Sequence, residues 1–455
     1  MLKELIGLCV YSFKTLVIVF ISHVLMYNLS YSQTGQENSI IDSELKTRTV
    51  GSVSKLLLEN YIFPNIAKEM GDYINANLQK GAYDDISDPM DFAQQLTADL
   101  LKISNDKHIK VFFSPDRVKE MKEYEKIQLT PEEEDSLFIE ELKPENFGFK
   151  KVEILPGNIG YIDFRRFAPA NIIEEKVFSI MEFLKDTDAI IFDMRYNSGG
   201  SASGVQLVCS YLFGEEPVHL NDLYFRPADT TEQFWTLKEI RGKRLPDIPV
   251  YILISSSTFS GAEEFSYNLK TLNRATLVGQ TTGGGAHPGG PEIVNDYYYI
   301  NIPKGRAINP HTKTNWEGTG VSPDVDIDSR FALTKAHILA LEKILSKGTN
   351  DQLITQLSFL IESLKESLDV SEVDLNTLKS YVGSYGERKI TYENGQLYFQ
   401  RGWRQTYEMS PISEDTFMLM DIPYFRIKFD RDASGNVTGI TGIYDDGHTD
   451  NTPKN

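Results

Sequence analysis

Apolar residues recur every three to four positions from Leu45 to Ser104, as in Val50–Phe63 (VGSVSKLLLENYIF) and Asp91–Ser104 (DFAQQLTADLLKIS). That period predicts amphipathic helices, parted by the turn-rich GAYDDISDP, and so a small helical domain over 45–110. Val111–Phe113 reads as a short strand, and Lys119–Lys143 as a charged, exposed stretch. From Phe147 the pattern becomes short apolar runs alternating with helical ones. IGYIDFRRF (159–167), DAIIFDMR (188–195), PVYILIS (249–255) and RATLVG (274–279) read as strands. Helical runs lie between them, which is the grammar of an α/β layer with a mostly parallel sheet, over 147–346. YYYINIPKGRAI (297–308) reads as a hairpin-like edge. Arg330–Ser346 and Leu353–Leu368 read as helices, with 347–374 as a helical linker. Beyond Leu375 the period drops to two, with turns at Asn394-Gly395 and around Ser434-Gly435. A small antiparallel β domain is therefore expected over 375–450.

The first 32 residues read differently. Lys3 and Lys14 supply a basic n-region before an apolar run, Thr15–Met26, and Ser30-Tyr31-Ser32 offers a small-x-small cleavage site. This is the pattern of a secretory signal peptide, so an exported protein, periplasmic or extracellular in a bacterium, is expected, with no stable membrane insertion after signal removal. Of the 455 residues, 46 are Lys or Arg and 65 are Asp or Glu, a formal net charge of −19. So acidic a chain repels phosphate backbones, which argues against nucleic acid as a partner. Cys9 falls in the signal. Cys209 lies in the apolar run VQLVCSYLF and reads as a buried structural thiol.

Ser260 closes a strand-like run and opens a helix in SSSTFSGAEEF. There it reads either as a helix cap, within the box Ser260-Gly-Ala-Glu263, or as a nucleophile beside backbone N–H groups. Gly261 would let a substrate carbonyl approach the backbone. Tyr196-Asn-Ser-Gly199-Gly200 forms a strand-to-helix turn whose amides could hold a developing negative charge, and it carries neither a P-loop nor a dinucleotide fingerprint. Thr281–Gly290 (TTGGGAHPGG) is a flexible loop of the kind that flanks a cleft. A serine nucleophile needs a base. His219, His337 and His448 sit in unremarkable contexts, whereas spacing alone does not choose among His108, His287 and His311. No cluster has metal-ligand spacing, and neither metal nor cofactor is expected.

Taken together, Asp106-Lys107-His108, DMRYNSGG (193–200), the run from STFSGAEEF to GGGAHPGG (257–290) and GRAINPHTKTNWEGTGVSPD (305–324) resemble the C-terminal-processing, or tail-specific, serine peptidase family. The resemblance covers about residues 45–345. It is nearest the branch of the tricorn core and the interphotoreceptor retinoid-binding protein, without a PDZ domain. It implies a ClpP/crotonase-like spiral core of ββα units, with an N-terminal helical domain and a C-terminal antiparallel β domain. Ser260 would be the nucleophile, and Gly261, Gly199 and Gly200 the oxyanion-hole residues. The family's Gly-x-Lys-Thr base motif reads Gly279-Gln280-Thr281-Thr282 here, so the lysine is missing. The tricorn-like roles of general base and of its orienting carboxylate fall on His108 and Glu317. The implied activity is serine endopeptidase, acting on a peptide or protein substrate. The alternative is a non-catalytic binder of a hydrophobic ligand on the same fold.

Overall fold

The structure, a computed structural model, describes residues 41–127, 129–348, 351–368, 373–402, 405–419 and 422–455. The signal-peptide reading therefore lies outside the described residues. The chain divides into two compact units: 1–152 with 161–186 and 192–326, and 153–160 with 187–191 and 327–455.

The first unit begins with helices α1 (Ser43–Asn60), α2 (Pro64–Gln79) and α3 (Pro89–Ser104). Each starts where the sequence supplies a start signal. Asp42 caps α1 by accepting from Leu45 N at 2.7 Å, and Asp88 caps α3 by accepting from Met90 N, with Pro89 in its first turn. Their buried stripes, among them Val53, Leu57, Ile74, Phe92 and Leu100, form one core. Asn105, left-handed at φ 53°, ends α3 and turns the chain into Asp106-Lys107-His108.

Strand β1 (Lys110–Phe113) follows, then α4 (Pro115–Lys126) and α5 (Pro131–Leu142). The segment 119–143, expected to be merely charged and exposed, is thus largely helical. Phe138 and Leu142 are buried along it, and Val118 just before it. Their wide spacing within a charged stretch left too weak a period to read.

The α/β part comprises β2 (Phe149–Leu155), β3 (Ile159–Phe164), α6 (Ala170–Leu184), β4 (Ala189–Asp193) and α7 (Ala202–Ser210). It continues with β5 (His219–Phe225), β6 (Thr230–Trp235), β7 (Val250–Ile254), α8 (Gly261–Thr271) and β8 (Thr276–Gly279). After these come β9 (Gly289–Ile293), β10 (Tyr298–Pro303), β11 (Gly305–Ile308) and β12 (Val325–Asp326). The main sheet has the order β12-β8-β7-β4-β3-β2, with β7·β8 and β8·β12 parallel. β4 and β7 are buried at every position, as apolar runs inside a covered sheet should be. Phe167 and Phe192 pack on Phe265 of α8 at 5.6 and 5.2 Å between ring centres. These contacts fix the helix that Ser260 precedes.

The expected hairpin over 297–308 does not form. β10 pairs with β9 and β1, whereas β11 pairs with β5. Only Lys304 separates β10 from β11, too few residues for a two-residue turn.

The second unit contains α9 (Ala332–Ser346), α10 (Asp351–Leu368), α11 (Leu375–Ser380) and strands β13 (Gly383–Tyr385), β14 (Arg388–Glu393), β15 (Gln396–Arg401), β16 (Thr406–Pro411), β17 (Thr416–Leu419), β18 (Ile422–Arg431), β19 (Val437–Tyr444) and β20 (Thr449–Pro453). The eight strands lie in sequence order and pair antiparallel throughout. The fold is thus mixed α/β, with a helical N-terminal region and a C-terminal antiparallel sheet.

Candidate active site

Ser260 sits between the end of β7 and α8 with φ 51° and ψ −120°. A side chain in that region costs on the order of 1–3 kcal/mol and persists only where the surroundings enforce it. The surroundings here are specific. Thr258 Oγ1 donates to Met194 O at 2.8 Å, Phe259 N to Asn197 O at 3.0 Å, and Ser260 N to Glu263 Oε2 at 2.9 Å. The serine is therefore held at a sharp strand-to-helix turn, at the positive end of α8.

The Gly199-Gly200 turn lies directly against it. A Cβ built on Gly199 would come within 2.6 Å of Gly261 N and 2.8 Å of Ser260 Cβ, and one on Gly261 within 2.9 Å of Gly200 O. No side chain fits between these backbones. Gly199 O and Ser201 N bond to Phe167, which anchors the turn. The expectation that Gly199 donates to an oxyanion needs correction. Its N–H is taken by the Asn197 side chain, Oδ1 at 2.8 Å. Among the described residues, the amides of Gly200 and Gly261 have no such acceptor.

His108 follows the α3 turn. Its ring lies over Phe259, the residue before Ser260, with centres 4.7 Å apart. Both ring nitrogens are buried without a hydrogen-bond partner. Nδ1 stands 3.6 Å from Asp106 Oδ1. No hydrogen bond joins the Ser260 hydroxyl to a histidine among the described residues; apo sites often tighten only with substrate.

Asp106 is fully buried and collects several groups. It accepts from Tyr61 OH at 3.2 Å, from His108 N at 3.1 Å and from His287 Nδ1 at 2.7 Å. Burial alone would raise its carboxyl pKa, but the two histidines outweigh this and hold it well below the usual carboxylate range. Glu317 Oε2 accepts from Ala286 N at 2.6 Å and lies 3.4 Å from His287 Nδ1. Its Oε1 is buried and unpartnered. Burial, then the Asp106 charge, push the Glu317 carboxyl up, against the pull of His287 and His108. Asp106, His287 and Glu317 present atoms within 4.8 Å of one another and could together hold a cation. Their positions 106, 287 and 317 gave no sign of this in the sequence.

Three further histidines are engaged elsewhere. His311 Nε2 contacts His219 O, His219 stacks on Trp235, and His337 bonds Pro156 O. Two lysines fare likewise. Lys270 pairs with Asp324 at 3.0 Å and Lys304 with Glu292. Cys209 is buried, and burial first, then Glu264, raises its thiol pKa well above normal. Sequence reasoning left His287 as one of three candidate bases, and assigned no role at the site to Asp106 or Glu263.

Residues 158–327 match the family description "Peptidase family S41", and residues 40–156 match "N-terminal domain of Peptidase_S41 in eukaryotic IRBP". The chain thus carries a peptidase family S41 domain preceded by an N-terminal domain of the S41 type. Among solved structures it is similar to a putative S41 protease from Bacteroides fragilis NCTC 9343. The identity is 20%, over 45% of this chain and 59% of that one, with a TM-score of 0.38. It is 17% identical to a putative peptidase from Parabacteroides merdae ATCC 43184, over 62% of this chain and 90% of that one, TM-score 0.44. To the tricorn protease it is 14% identical, over 71% of this chain and 37% of that one, TM-score 0.40. No helix among the described residues is long and apolar enough to cross a membrane.

Proposed function

We propose that the protein is an exported serine endopeptidase that cleaves peptide bonds by acyl transfer through Ser260. The observation that carries this reading is the strained Ser260 backbone, φ 51°, with the unengaged amides of Gly261 and Gly200 packed beside it. Ser260 Oγ attacks the scissile carbonyl while its proton passes to His108 Nε2. The Gly200 and Gly261 N–H groups stabilise the oxyanion. The C–N bond then breaks, and the leaving amine takes the proton from His108. Water attacks the ester, its proton passes to His108, and that proton returns to Ser260 as the acid leaves. Asp106, 3.6 Å from His108 Nδ1, and Glu317, on which the His108 charge acts, stabilise the imidazolium. Glu317 alone was the orienting carboxylate expected from the resemblance; Asp106 is added as its closer companion.

A non-catalytic ligand binder on this fold would have no use for a strained serine beside unengaged amides, so the enzyme reading is preferred. Hydrolysis of fluorescein-labelled casein by the wild type, lost in both Ser260→Ala and His108→Ala with folding intact, is the expected result. Equal hydrolysis by Ser260→Ala would refute it. Export is tested separately, by N-terminal sequencing of secreted protein, which should begin at Gln33.

A further inference from the structure

Glu263, in the first turn of α8, is completely buried, yet its carboxylate serves the turn before the helix and a loop distant in sequence. Oε2 accepts from Ser260 N at 2.9 Å and from Gly285 N at 2.8 Å. Oε1 accepts from Gly284 N at 2.7 Å and from the Thr282 hydroxyl. Four donors therefore converge on one buried carboxylate, and charge-assisted bonds of this kind are among the strongest in a protein.

The loop it grips runs on to the other half of the site. The next amide, Ala286 N, donates to Glu317, and the next side chain, His287, bonds Asp106. Gly285 lies against the base itself, because a Cβ there would stand 2.6 Å from His108 Cε1 and 2.3 Å from Phe259 Cζ. The Gly285 carbonyl accepts from Trp316 Nε1 at 2.8 Å, which fixes the peptide from its other side. One carboxylate thus fixes the backbone of Ser260 and the strip of loop on which His108 rests.

We propose that Glu263 is a positioning residue for acyl transfer, setting the Ser260 nucleophile in register with His108 through the Gly284-Gly285 peptide. The inference rests on the reading of Ser260 as nucleophile. A carboxylate is required because each oxygen takes two donors. In Glu263→Gln the amide nitrogen would face two of those donors with N–H groups of its own. The serine turn or the loop then has to move, and a misplacement of about 1 Å can cost about 10²-fold in rate.

The test measures kcat and KM on labelled casein per titrated active site, the rate of inactivation by a fluorophosphonate, and Tm. The variants are Glu263→Gln, Thr282→Val and Thr282→Ser. Glu263→Gln should lower kcat roughly 10²-fold, leave KM within about threefold, and slow fluorophosphonate inactivation in parallel. Thr282→Val should lower kcat roughly tenfold, and Thr282→Ser, which keeps the hydroxyl, should restore it. A Glu263→Gln enzyme with lowered Tm but unchanged kcat per active site would overturn the proposal, since the carboxylate would then be structural alone. Should Glu263→Gln fail to fold, the Thr282 pair decides, and equal kcat in both overturns it. Failure of the underlying reading looks different: the wild-type enzyme would then carry no label on Ser260 at all.

Discussion

The two units bury polar groups in opposite ways. In the second unit the sheet encloses an apolar core that includes Ile390, Phe399, Met409, Phe417 and Ile427, and its ionic groups are matched. Arg388 pairs with Asp450 through two bonds of 2.6 Å, and Arg431 with Asp415 at 2.8 Å. Among the described residues, no buried side-chain polar atom of that unit lacks a partner. The first unit, by contrast, leaves both nitrogens of His108 and Oε1 of Glu317 buried and unpartnered. Each such group costs about 1–3 kcal/mol. A fold can carry that cost where the chemistry needs groups poised for a substrate, and His108 and Glu317, proposed for acyl transfer, are among the residues that bear it.

Within the first unit two buried carboxyls sharpen the contrast. Asp106 stays ionised because two histidines flank it. Glu264, on α8, is flanked by Asn221 and Asn268 and has no cation among the groups that shift it. Burial pushes its carboxyl up to about 8, and Glu232 adds to the rise. Burial alone does not decide the charge; the neighbour does.

The largest effects should fall on the serine. Ser260→Ala should lower kcat/KM by roughly 10⁴-fold or more while leaving the second unit's unfolding transition unchanged. Ser260→Gly should be equally inactive yet more stable than Ser260→Ala by roughly 1 kcal/mol, because glycine relieves the positive φ. Equal Tm values for the two would mean the turn is unstrained.

Next come the histidine and its carboxylates. His108→Ala should lose about 10²–10⁴-fold in kcat/KM, Asp106→Asn somewhat less, and Glu317→Gln least. Greater loss in Glu317→Gln than in Asp106→Asn would restore Glu317 as the principal orienting group.

Smaller, and thermodynamic only, is the effect at Glu264. Its pKa is raised on folding from the ordinary 4.5 to about 8, so the folded state holds a proton that the unfolded state has released between those values. The stabilisation is complete below about pH 4.5 and is lost as pH rises to about 8, by up to tenfold in the folding constant per pH unit. Glu264→Gln should flatten that slope in urea melts at pH 5 to 8. An unchanged slope would show that Glu264 is ionised in the fold.

The smallest effect tests the other side of the comparison. Gly395, at φ 90° in the β14–β15 turn with open space around it, should lose about 1 kcal/mol of stability on change to Ala. Casein turnover should stay at the wild-type rate.

The sequence carried the elements well where a period was strong. The runs at 159–167, 188–195, 249–255 and 274–279 fall on β3, β4, β7 and β8. The β5–β6 hairpin was not legible, since β6 (TTEQFW) is exposed at all but one position and so carries little alternation. At the site, the candidates Ser260 and Gly200 could be put forward from the sequence because turns and helix starts are local features. The Gly199 amide was misread because its acceptor, Asn197 Oδ1, is a side chain that local sequence does not orient. The parts played by Asp106, His287 and Glu263 were not assigned because their partners lie 181 and 22 residues away, as for His287 with Asp106 and Gly285 with Glu263. Such pairings exist only once the chain is folded.

The most direct measurement is mass-spectrometric mapping of the adduct formed when the protein is incubated with a fluorophosphonate. Ser260 is predicted to carry the label, with none in Ser260→Ala and strongly slowed labelling in His108→Ala. A label on another residue that persists in Ser260→Ala, accompanied by undiminished casein hydrolysis, would contradict Ser260 as the nucleophile.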